Sequence, residues 1–97
     1  MDCADVLRVL ASGRVRMAKA EHLRDHHVRF RMALVWLEHC GFVEPTPEEG
    51  PKAWKATCAC LDERFRKMRC HVTFNVIQDE DGNDWIEVVS AWRVGRA

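Results

Sequence analysis

The chain has 97 residues, 47% of them hydrophobic and 31% charged, and its 15 basic side chains balance 15 acidic ones. That length supports one domain with one core, which buries about 60–70% of the unfolded surface without staples. No apolar run nears the ~18 residues of a membrane span, the start with Asp2 and Asp5 lacks a basic-then-apolar leader, and zero net charge argues against a strong non-specific polyanion binder; a cytosolic protein is the expectation.

Residues 2–11 are predicted to form a short helix. Asp2 suits its cap, Asp5 suits the positive end of its dipole, and Val6, Leu7 and Leu10 share one stripe. Gly13 is placed to stop it. Val15, flanked by arginines, predicts a short strand over 14–17, and residues 18–27 are helical by propensity. The clearest helix is residues 30–40, where Phe30, Ala33, Leu34 and Leu37 keep the 3.6-residue period and Gly41 stands at the end. Residues 44–51, with three prolines and a glycine, are expected to be an exposed connection.

Residues 53–61 read as a strand with Cys58 and Cys60 on one face and Thr57 on the other. A charged turn over 62–67 leads to two long strands, near 68–78 and 84–94, joined by the acidic tip Asp79-Glu80-Asp81-Gly82-Asn83-Asp84. The tip resembles a calcium loop but lacks its length and its closing Glu, so a plain hairpin turn explains it better. Simple alternation puts Val72, Phe74 and Val76 on one face of the first strand. On the second it puts Ile86, Val88 and Trp92 on one face and Trp85, Val89 and Ala91 on the other, which predicts a ribbon covered on both sides at least in part. Helices followed by an antiparallel meander define an α+β fold.

The charges are segregated even though they balance. Residues 8–31 hold seven basic side chains, including Arg16 and Lys19, against Glu21 and Asp25, and Arg64, Arg66, Lys67 and Arg69 make a second basic run. Such a face can attract RNA phosphates, although solvated helix surface is the plainer reading. His22 and His26 have the spacing of a helical zinc pair, but Leu23 replaces the metalloprotease Glu and no third ligand is evident. The five cysteines are odd in number and are read as free thiols that pack like small hydrophobes; Cys58, Cys60, Cys70 and His71 lack structural-zinc spacing.

The hairpin strands hold His71, Thr73, Asn75, Ser90 and Arg93 on a rigid frame. Cleavage of RNA through its 2′-hydroxyl needs no metal. It needs a base for the 2′ proton, cations for the crowded phosphate and an acid for the leaving oxygen.

The stretch Ile86-Glu87-Val88-Val89-Ser90-Ala91-Trp92-Arg93 resembles the ending of BrnT-type toxins, aliphatics followed by Ser-Ala-Arg-Arg, with Trp92 in place of the first arginine. Leu10-Ala11-Ser12-Gly13-Arg14-Val15-Arg16 resembles the helix-glycine-basic-strand opening of MqsR-like toxins, and Leu37 to Pro45 resembles related domains. The layout as a whole is similar to small RelE/BrnT/MqsR-like toxin domains. Where related domains carry His and then Arg in the second helix, this chain has Ala18 and His22. The resemblance implies N-terminal helices packed on a three- to four-stranded antiparallel sheet, a cofactor-free, metal-independent endoribonuclease, and RNA and an antitoxin protein as partners. It assigns His22, His71, Ser90 and Arg93 to catalysis, and Arg16, Lys19 and Arg69 to phosphate. Ser90 and Arg93 are then expected to face Lys19 and His22 across a shared groove.

A second reading is a non-catalytic protein-binding module, an inhibitor or adaptor on the same scaffold. It draws on Trp36, Trp54, Trp85 and Trp92, since tryptophan is enriched at interface hot spots, and it expects Trp54 to be exposed. A metal-binding regulator built on the Cys/His set is the third.

Overall fold

The structure, a computed structural model, describes residues 1–18, 28–62 and 64–96. The helix expected over 18–27, and with it Lys19 and His22, lies outside the described residues save Ala18. Helix α1 (Cys3–Ala11) starts on a capping box made of two aspartates. Asp2 accepts from the Asp5 N–H at 2.9 Å and Asp5 accepts from the Asp2 N–H at 2.9 Å, which satisfies two donors that the first turn would orphan. It buries Val6 and Val9. Gly13, at φ 79°, turns the chain into strand β1 (Val15–Met17).

Helix α2 (Phe30–Glu38) buries Ala33, Trp36 and Leu37, as its period predicts, but ends before the expected residue 40. Gly41 is not its stop. It lies inside strand β2 (Cys40–Pro45), where the register with the next strand slips between Cys40 and Phe42. The connection expected over 44–51 therefore begins as an edge strand. Pro45 ends it where a missing N–H is tolerated, Glu44 pairs with Lys55 across the ladder at 3.2 Å, and a single 3-10 turn (Pro47–Glu49) follows.

Strands β3 (Ala53–Leu61), β4 (Lys67–Gln78) and β5 (Asp84–Arg96) form the predicted meander. The sheet has five strands in the order β1-β5-β4-β3-β2, with β1 parallel to β5 and the other pairs antiparallel. The expectation of three or four antiparallel strands is corrected on both counts. Strand β5 has backbone groups to satisfy on its outer edge, and β1 meets them: the Ile86 N–H donates to the Arg14 carbonyl at 2.9 Å and the Ala18 N–H to the Val88 carbonyl at 2.8 Å.

Both described helices lie on one face of the sheet. There Val6, Ala33 and Trp36 pack on Ala56, Val72, Phe74, Ile86, Val88 and Ala91 in a single core. Among the described residues no other element packs on the opposite, open face, although Thr73 and Ala53 on it are buried. The pairing of β4 with β5 skips Val89, setting Thr73 opposite Ser90 and Phe74 opposite Val88, and skips Val94 between Cys70/Arg93 and Arg69/Gly95. Each skip is a β-bulge, one extra residue against its partner strand. The first resets the alternation. Ala91, fully buried, takes the core position that alternation assigns to Trp92, and Trp92 stands on the open face.

The acidic tip is a hairpin turn. Asp79 accepts from the N–H groups of Asp81 and Asn83 and from the Trp85 indole N–H, each at 2.9 Å. These donors hold its carboxyl below the usual carboxylate range, the Trp85 bond contributing most.

Candidate functional site

Residues directly opposite one another on paired strands share a face, so the register assigns each candidate side chain. His71 lies between Thr57 on β3 and Trp92 on β5 and stacks on the Trp92 ring, centroids 5.6 Å apart and planes 7° from parallel. Its Nδ1 is buried and has no hydrogen-bond partner among the described residues. Burial lowers its pKa first, and Lys55 and Arg69 lower it further against the opposing pull of Glu44. The imidazole is therefore neutral at neutral pH, which is the form that can accept a proton. Arg69, two residues along the same strand face, is exposed.

Ser90 stands on this open face too, opposite Thr73, whose hydroxyl donates to the Ser90 carbonyl at 3.4 Å. Arg16 shares the face but is engaged elsewhere. It pairs with Glu87 at 3.3 Å and lies 5.9 Å from the centre of the Trp85 ring. Through Glu87 it sits level with Asn75, four residues from His71, about 13 Å along the strand.

Arg93 is on the opposite face. It stands across from the fully buried Cys70, and its guanidinium lies over the Trp36 ring at 5.2 Å. With Asp62, Arg64, Arg66 and Met68 it lines a hollow of about 330 Å³. The sheet separates it from Ser90, so these two do not converge in one groove. Of the seven candidates the structure gathers Arg69, His71 and Ser90, leaves Arg16 apart on the same face, sends Arg93 to the other side, and does not describe Lys19 or His22.

Three participants were missed in the sequence. Lys55 and Thr57 flank His71 from β3, and only the cross-strand register identifies them. Arg64 joins Arg93 at the hollow, and its membership of the basic run over 64–69 was the available signal.

The two hairpin turns that bound β4 differ in charge. Arg64, Arg66, Lys67, Arg69 and Arg93 collect where β3 turns into β4, while Asp79, Glu80, Asp81 and Asp84 occupy the other hairpin, twelve residues of strand away. The basic turn is fixed by Asp62, which accepts from the Arg64 N–H at 2.8 Å, the Arg66 N–H at 2.9 Å and the Arg66 Nε at 2.8 Å. Phe65 at its apex takes φ 60° and leaves its ring 82% exposed. Leu61 and Val94, both more than half-exposed or at that limit, lie at the same end.

The metal reading loses its geometry. Cys58 and Cys60 share a face, as expected, and Cys70 joins them, but it is the core face, and His71 points away from it. No group of three or more His, Cys, Asp or Glu among the described residues is arranged to hold a metal ion. Trp54, whose exposure a protein-binding module would favour, is buried at 8% exposure. No helix among the described residues is long and apolar enough to cross a membrane. No family model, curated protein or solved structure matches the chain.

Proposed function

We propose that the chain is a toxin-like, metal-independent endoribonuclease that engages RNA at the basic end of its sheet. The observation that carries this reading is His71, a neutral imidazole braced on Trp92 with Arg69 on the same face and Lys55 close enough to act on its titration. In this mechanism His71 takes the proton of a ribose 2′-hydroxyl, the 2′-oxygen attacks the adjacent phosphorus as the bond to the 5′-oxygen breaks, and the departing 5′-oxygen takes a proton from water, whose hydroxide recovers the proton held on His71. The ends are a 2′,3′-cyclic phosphate and a 5′-hydroxyl. Arg69 and Lys55 steady the charge that builds on the phosphate. Arg93 and Arg64 hold backbone phosphate at the rim of the same end. The layout also supports the reading, with a short strand carrying Arg16 between the two described helices and an antiparallel meander after them, close to what RelE/BrnT/MqsR-like domains lead one to expect.

The test is incubation of single-stranded RNA with the wild type, His71→Ala and Arg69→Ala in the presence of a chelator. The expected result is cleavage leaving cyclic phosphate ends, reduced about 10²–10⁴-fold by His71→Ala. Absence of cleavage by the wild type, or full activity in His71→Ala, overturns it.

A second reading, the non-catalytic protein-binding module, is favoured by one observation: Phe65, Leu61 and Val94 gather as exposed apolar side chains at the basic end. A partner that binds the wild type but not Phe65→Asp, together with no RNA cleavage, selects it.

A further inference from the structure

Four of the five cysteines, all free thiols, cluster on the core face across three neighbouring strands. Cys40 on β2 is directly opposite Cys58 on β3, and Cys58 is directly opposite Cys70 on β4. Cys58 thus has a thiol on either side, and the two neighbours differ in geometry and access.

The Ala59 N–H donates to the His39 carbonyl at 3.3 Å, which makes His39/Ala59 a hydrogen-bonded rung. The next rung, Cys40/Cys58, is then non-hydrogen-bonded, with side chains drawn together and Cα atoms about 4.5 Å apart, inside disulfide range. On the other side, the Val76 N–H donates to the Lys52 carbonyl at 3.0 Å. Alternation from that rung puts Cys58/Cys70 on a hydrogen-bonded one, where side chains stand farther apart. Access points the same way. Cys70 is fully buried, with its thiol donating to the Cys58 carbonyl at 3.5 Å, whereas Cys40 is half-buried on the edge strand and lines a hollow of about 550 Å³ between α1 and α2.

We propose that Cys40 and Cys58 are a peroxide-sensitive pair that closes to a disulfide and staples edge strand β2 to β3. Cys40 is the attacking sulfur. Its pKa lies below the ordinary thiol value, first because of the Cys58 thiol beside it and less through the backbone at Phe42, whose carbonyl accepts from the Cys40 thiol at 3.4 Å, against the opposing effect of burial. Cys70 is drawn down to about 7, also chiefly by Cys58, but no oxidant reaches it at zero exposure. In the first step the Cys40 thiolate forms a bond to one peroxide oxygen as the O–O bond breaks, and the departing hydroxide takes a proton to become water. In the second, the Cys58 sulfur displaces that oxygen from the Cys40 sulfenic acid, and the oxygen leaves as a second water carrying the Cys58 proton. Two thiols and one hydrogen peroxide give one disulfide and two waters.

The experiment treats the full chain with hydrogen peroxide, blocks remaining thiols under denaturing conditions and maps peptides by mass spectrometry. The wild type is expected to lose two titratable thiols as an intramolecular Cys40–Cys58 link, to regain them with dithiothreitol, and to melt at higher temperature when oxidised. Cys40→Ser, at a half-buried edge position, is expected to abolish the link with its circular dichroism spectrum unchanged, and Cys70→Ala to keep it. Five titratable thiols after treatment, a Cys58–Cys70 link, or Cys40 recovered only as sulfinic acid overturns the proposal.

Discussion

Replacing Ala91 with leucine, beside Ser90 with leucine, tests the bulge at Val89 that sets Ser90 on the face of His71 and Arg93 on the core face. Ala91 is fully buried opposite Val72, itself fully buried, in the layer formed with Phe74 and Ile86. Three added carbons have no space there. Overpacking of this kind costs about 1–3 kcal/mol, and at about 4–8 °C per kcal/mol for a domain of this size Ala91→Leu should lower the melting temperature by about 4–24 °C. Ser90 faces the open side, where a substitution should stay within about 0.5 kcal/mol. The assay is urea unfolding of both variants, read at the midpoint with m unchanged, followed by thermal melts. A destabilised Ser90→Leu beside a neutral Ala91→Leu would refute the register and restore simple alternation, which puts Ser90 in the core and Arg93 on the face of His71.

Phe74→Ala should cost about 3–5 kcal/mol, since the ring is 1% exposed at the centre of the core and leaves a cavity; urea unfolding measures it. His71 should titrate below the ordinary histidine range by proton NMR, with burial first and Lys55 and Arg69 next as causes. Arg69→Gln should move that midpoint upward. Between the depressed folded pKa and the unfolded value of about 6.5, the unfolded chain binds the more protons, so stability is full above the unfolded value and falls as pH drops through this window. His71→Gln should flatten that slope in urea unfolding at pH 5 to 8, and an unchanged slope would show that His71 is not the group responsible.

Regular periodicity carried what the sequence disclosed. The capping aspartates of α1, the stripe of α2, the bounds of β3 and the acidic hairpin were legible because each depends on residues close in the chain. Strand β1 was legible too, but not its parallel partner, since a three-residue strand carries no information about which edge it joins. Strand β2 was hidden by its prolines and glycine, which an edge position tolerates. The bulges did the most damage to the site. One extra residue at Val89 reverses the side chains of Ser90 to Arg93 until the second bulge at Val94 restores the alternation, and nothing in Val88-Val89-Ser90 marks which of the adjacent valines is extra. The bulge moves Arg93 off the face of His71, but Ser90 and Arg93 lie three apart on one strand and face opposite ways with or without it. His71 and Arg69 share a face because they lie two apart on an unbroken strand. Lys55 acts on His71 through strand pairing, which local pattern does not contain.

RNA cleavage with end-group analysis, comparing the wild type with His71→Ala, bears most directly on a proton acceptor held on the open sheet beside Arg69. Products ending in 2′,3′-cyclic phosphate from the wild type, reduced at least a hundredfold in a folded His71→Ala protein, are expected. Equal cleavage by both proteins, or none by either, contradicts it.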